Sequence, residues 1–163
     1  RWSLSLVQKV VIAMSTIEQN LIGNTAGLSR VEKVLRYFFF ALLIGTVIYS
    51  IGGTFFGRDN RLIDYSVAES ALLLASLAPG YSRPIPGAHW ALRACEWAVM
   101  GAALVSTAAV IVGDITYHGV RHAPYNMPWN VAVGAALATS CFFTILLVSK
   151  ERARRRGLLP PAH

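Results

Sequence analysis

Charge is what this chain has least of. Asp, Glu, Lys and Arg make up only 14% of its 163 residues, against about 25% in an ordinary soluble domain. Three stretches hold no charge at all: Tyr37 to Gly57, Trp97 to Gly113 and Trp129 to Ser149. A soluble helical core needs a polar face on each helix, and these stretches have none, which excludes that class. Cysteine is nearly absent too. Cys95 and Cys141 form no C-x-x-C pair, so a thiol-redox site is excluded and small buried hydrophobes are expected. No nucleotide-binding or catalytic motif occurs, and the loops are short, which argues against an active site of its own. The N-terminus lacks the basic start, short apolar core and small-residue cleavage site of a signal peptide. A start at Arg1 rather than Met fits removal of a mitochondrial transit peptide, and fits a trimmed N-terminus equally well.

What is present is apolar length. Two of the uncharged runs are 21 residues long, about 31 Å of helix, enough to cross a bilayer core of about 30 Å. Backbone amides cannot stay unpaired in lipid, so such runs must be helices. Before them, Val7, Val10, Met14, Ile17 and Leu21 share one helical face, and Gln8, Lys9, Glu18 and Gln19 lie away from it. That segment is too polar to span and is expected in the membrane interface. The reading is an all-α integral membrane protein. It has transmembrane helices over about 37–57, 94–117 and 129–149, a short fourth over about 62–78, and an amphipathic helix over about 2–22. It forms one membrane domain over 1–163, with an interfacial segment 1–28 and a basic tail 150–163.

The fourth segment is the difficult one, because it contains Asp64 and Glu69. Ser29 and Glu32 form a capping box before the first run, and Ser66 and Glu69 repeat the pattern. If Ser66 is a cap, the helix covers 67–78 and is too short to cross. If Asn60 is the cap, it is marginal. Charge placement favours crossing. Four spans put twelve of the fifteen Lys and Arg on one side and three on the other, as the positive-inside bias requires. Pro79, Gly80, Pro84, Pro86 and Gly87 predict a stiff loop, and Trp90 and Trp97 mark an interface.

Few residues carry chemistry. Ala98, Ala102, Ser106, Ala109 and Gly113 form a small-residue stripe, a face on which helices can approach closely. Packing within the chain and docking to another subunit are equally good readings of it. Lys150, Arg152, Arg154, Arg155 and Arg156 form a basic cluster, expected to contact anionic phospholipid such as cardiolipin. Nucleic acid is not expected, since no aromatic or folded basic platform accompanies the cluster. Asp114, His118 and His122 repeat every four residues and, with Tyr117, are the candidates for a quinone or metal contact. The helix ends near them, and a resident metal is not expected. No histidine lies mid-span, so haem or quinone would sit only at a site shared with another chain. Glu96 is read as an ion pair with Arg93, and Glu69 as an intramembrane acid in contact with a proton, an ion or a partner.

The stretch Gly113-Asp114-Ile115-Thr116-Tyr117-His118-Gly119 resembles the Asp–Tyr region of succinate dehydrogenase membrane anchors, in which a Tyr faces ubiquinone. The resemblance covers these positions alone. The family has Asp and Tyr adjacent, whereas two residues separate them here, and its mid-helix haem histidine is missing.

The expected function is a non-catalytic accessory or structural subunit of a larger membrane complex. An energy-transducing, respiratory complex of the mitochondrial inner membrane is preferred over a bacterial plasma membrane. Its partners would be other membrane subunits and lipids, with no cofactor of its own. Two alternatives stand beside it. One is a quinone- or haem-contacting anchor of a redox enzyme such as succinate dehydrogenase. The other is a small homo-oligomeric transporter or channel.

Overall fold

The structure is a computed structural model that describes residues 28–56, 61–85, 87, 90–119 and 126–159. The amphipathic helix expected over 2–22 lies outside the described residues. Within them are four helices and no strand: α1 Arg30–Phe56, α2 Arg61–Leu77, α3 Trp90–Gly119 and α4 Asn126–Arg155. At 27, 30 and 30 residues, α1, α3 and α4 measure about 40 to 45 Å. All three are long and apolar enough to cross a membrane, so the chain is a multi-pass integral membrane protein. At 17 residues, α2 is about 25 Å long.

The helix starts follow local chemistry. The Ser29 hydroxyl accepts the Glu32 N–H at 3.3 Å, and the Glu32 carboxylate accepts the Ser29 N–H at 2.7 Å. This reciprocal capping starts α1 well before its apolar run. The second S-x-x-E pattern does not cap. Helix α2 begins at Arg61, so Ser66 and Glu69 lie inside it, and Glu69 turns to another helix. At the other end of the chain, α4 runs on through Lys150 to Arg155, so most of the expected basic tail is helical. Gly157, at φ +69°, stops it. The N–H of Leu158 reaches Ala153 O at 3.0 Å and that of Gly157 reaches Arg154 O at 2.9 Å. These two bonds satisfy the last carbonyls, and the basic residues there face the negative end of the helix dipole.

The short helix is the hub. One face of α2 carries Ala68, Ala71, Leu72 and Ala75, all at or below 1% exposure. Such small side chains let α2 lie close to α1, α3 and α4 together. Phe39 of α1, Val99, Met100 and Ala103 of α3, and Phe143 and Leu146 of α4 close around it. Helices α3 and α4 also pack extensively on each other, while α1 joins the bundle chiefly through α2. Neighbours run antiparallel. Arg36, near the start of α1, donates to Pro79 O just beyond the end of α2. Tyr65, near the start of α2, lies against Tyr49 in the second half of α1. Helix α2 thus extends between the two ends of the bundle that its neighbours connect.

The α2–α3 loop turns sharply through N–H to carbonyl bonds at Tyr81, Arg83 and Ile85. Gly80 sits at φ +72°, and a Cβ there would collide with Leu28 and crowd the Glu32 carboxyl. Gly80→Ala should therefore destabilise the fold by about 1–2 kcal/mol from backbone strain alone. The check is the thermal midpoint of the detergent-solubilised chain, which should fall; an unchanged midpoint would count against this reading.

Candidate functional site

The bundle has a basic end and an acidic end. At the first, the start of α1, the α2–α3 loop, the start of α3 and the end of α4 converge. Arg83 pairs with Glu32 at 2.8 Å. The Glu96 carboxylate is buried and accepts the N–H of Ser82. The expected Arg93–Glu96 pair gives way to this contact, because a carboxylate turned inward can satisfy a loop amide that has no helical partner. The Lys150 ammonium stands 4.1 Å from the Tyr81 ring centroid, within cation–π range, and Tyr81 packs on Phe143. Burial pushes the Tyr81 phenol above its ordinary pKa, opposed by the positive charge of Arg154.

Of the basic cluster named from the sequence, Lys150, Arg152, Arg154 and Arg155 line a cavity of about 450 Å³ beside Tyr81. Glu151 sits among them, pairing with Arg155 at 3.0 Å and Arg154 at 3.5 Å. Arg156 lies just past α4 and is exposed.

The opposite end holds an acidic cluster drawn from three helices. Asp114 Oδ2 accepts the Tyr49 hydroxyl at 2.9 Å and the Tyr65 hydroxyl at 3.1 Å. The two tyrosine rings lie 5.3 Å apart. Close by, Glu69 Oε1 accepts the Ser50 hydroxyl at 2.8 Å. A carboxylate among apolar helices needs such donors, since an unpaired one is costly there. Asp114 was legible in the sequence through its four-residue spacing with His118 and His122. Its partners were not, because they come from α1 and α2 rather than from the next turn of α3. The side chains of Tyr117 and His118, and the whole of His122, lie outside the described residues. Among the described residues, no group of three or more His, Cys, Asp or Glu could hold a metal ion.

Beside this cluster lies a groove of about 550 Å³ between α1 and α3. It exists because α1 leans chiefly on α2, leaving its flank toward α3 unfilled. Phe38, Ala41, Leu42, Gly45, Thr46, Ile111 and Ile115 form its walls, and Tyr49, Tyr65 and Asp114 close one end.

The small-residue stripe of α3 faces inward. Ser106 and Gly113 are buried, and Ala98, Ala102 and Ala109 are half-buried. The Ser106 hydroxyl donates to Ala132 O of α4 at 2.9 Å, and Ala109 packs on the cluster of Tyr65, Ala68, Val110 and Ala132. This face is used within the chain.

No protein-family model, curated protein or solved structure matches the chain.

Proposed function

We propose that this chain is a non-catalytic accessory subunit that docks through α4 in a larger membrane complex. The outward face of α4 supports this reading. Gly134, Ser140, Cys141 and Thr144 are exposed there, opposite the buried Ala132, Thr139, Phe143 and Leu146. Small and weakly polar residues on an outward membrane face suit a neighbouring helix better than lipid chains. Leu137, Ile145 and Val148 are exposed beside them, knobs for that neighbour to receive, and the outward face of α1 is bulkier still. It presents Val31, Val34, Ile44, Ile48, Ile51 and Phe55, the bulky apolar surface that acyl chains solvate. Polar groups within the bundle pair with one another, which fits a structural role. The basic end then faces the cytoplasm or, in the respiratory membrane we favour, the matrix. There the cavity beside Tyr81 offers cationic groups to anionic lipid headgroups.

Native electrophoresis of a mild-detergent extract tests the reading. The chain should migrate in a band far above its 17.7 kDa. Gly134→Leu should release most of it to smaller species, because nothing lies within 4 Å of a Cβ at that position to disturb the fold itself. A wild-type band at monomer mass would sink the proposal.

A further inference from the structure

At the basic end of the bundle, donors collect without acceptors. Lys150 and Arg154 lie one turn apart on α4, on one face, and line the cavity of about 450 Å³ beside Tyr81. The Lys150 ammonium, 4.1 Å from the Tyr81 ring centroid, has three N–H groups to donate and nothing to accept with. No acceptor meets them among the described residues, and the Tyr81 hydroxyl has no acceptor among them either. Arg154 gives Nη1 to Glu151 in a long contact of 3.5 Å. Its Nε–H is buried with no partner among the described residues. The Nε–Nη2 edge, which can grip two oxygens of a phosphate at once, is thus uncommitted. A buried donor without an acceptor is costly, and turning this edge onto an anion in the cavity relieves that cost.

The charge of the wall has the matching sign. Lys150, Arg152, Arg154 and Arg155 line the cavity against a single carboxylate, Glu151. Arg155 at 3.0 Å and Arg154 at 3.5 Å already share that carboxylate. The negative end of the α4 dipole, equivalent to about half an elementary charge, is too small to reverse the balance. Leu147 and Val148 form the wall on the membrane side, and Leu147 is 44% exposed. They end the uncharged run of α4, so the cavity straddles the change from apolar to charged surface on a membrane-crossing helix. A free anion has no use for that apolar wall, whereas the acyl chain of a phospholipid does.

We propose that this cavity is a discrete seat for one anionic phospholipid, its phosphate held by Lys150 and Arg154 and its acyl chain leaving past Leu147. A lipid so placed would tie the end of α4 to the α2–α3 loop at Tyr81. The seat rests on the lipid contact inferred above for the basic end and is independent of subunit docking through α4.

Native mass spectrometry of the full chain in mild detergent tests this, with phosphatidylglycerol and phosphatidylcholine of identical acyl chains as probes. One phosphatidylglycerol should be retained per chain, about tenfold more tightly than phosphatidylcholine, whose choline brings a further cation to a cationic wall. Lys150→Gln and Arg154→Gln should each weaken retention about tenfold, since each removes a charged donor from the phosphate. Arg156→Gln removes the same charge outside the cavity and should weaken it less than about twofold. Lys150→Arg should retain the lipid, a rescue that loss of fold would not produce. Excess inorganic phosphate should leave the lipid in place. Equal retention of the two lipids would sink the seat together with the lipid contact at this end. Selective retention that all three Gln variants weaken equally would overturn the seat alone, leaving a diffuse basic surface. Displacement by inorganic phosphate would mean that the cavity takes a free anion, and would overturn the proposal as well.

Discussion

Ala75→Leu is expected to loosen the whole bundle while leaving its helices intact. Ala75 is completely buried on the face of α2 that meets α1, α3 and α4. Phe39, Val99, Phe143 and Leu146 belong to the same buried cluster. Extra methylenes in such a site force side chains off their rotamers or helices apart, at about 1–3 kcal/mol. In a bilayer the displaced helix is still solvated by lipid, so no hydrophobic force presses it back. The packing loss is therefore felt in full, while backbone hydrogen bonds within each helix persist. Circular dichroism should change little. Cys95, packed against the same cluster, should react about tenfold faster with a lipid-soluble maleimide, as a shift of about 1.4 kcal/mol implies. Cys141 is already exposed and provides the internal reference. An unchanged Cys95 rate would show that the α2 face has room the structure denies it.

The hub role of α2 explains what could and could not be read from the sequence. Hydropathy reports how a helix meets lipid, and α1, α3 and α4 meet it over much of their surface, so their apolar runs mark them. Helix α2 is covered by its neighbours instead. It can keep Tyr65 and Glu69, whose polar groups find partners on α3 and α1, and its alanines serve close approach. Its hydropathy was therefore weak for a physical reason. The capping box at Ser29 was legible because both partners lie within one turn. The identical spacing at Ser66 and Glu69 caps nothing, because what Glu69 contacts is decided by α1 across the bundle. The same holds for the candidate site. Asp114 stood out through its four-residue spacing with His118 and His122, whereas Tyr49 and Tyr65 reach it from α1 and α2 and leave no signal in the local sequence. The small stripe of α3 was visible as a close-packing face, and only the fold showed that α2 and α4 occupy it.

The largest polar effect should come from removing the acceptor that joins three helices. In Asp114→Leu, the hydroxyls of Tyr49 and Tyr65 lose the oxygen they share. Tyr65 is 3% exposed, so water cannot readily replace the carboxylate at its hydroxyl. A buried donor stripped of its acceptor costs about 1–3 kcal/mol; the Tyr49 hydroxyl, nearer the surface, should lose less. The expected loss of stability is therefore about 2–4 kcal/mol, the larger part at the α2–α3 contact made by Tyr65 and the rest at the attachment of α1 through Tyr49. Tyr49→Phe and Tyr65→Phe should each cost less than Asp114→Leu, because each leaves the other tyrosine bonded to the carboxylate. The triple variant Tyr49→Phe, Tyr65→Phe, Asp114→Leu should recover part of the loss, since it also removes the two hydroxyls whose shared acceptor Asp114→Leu takes away. Reversible unfolding in mixed micelles, measured across the whole set, isolates the coupling. Strictly additive losses, with no recovery in the triple variant, would mean that the three residues act separately and that Asp114 does not hold the helices together.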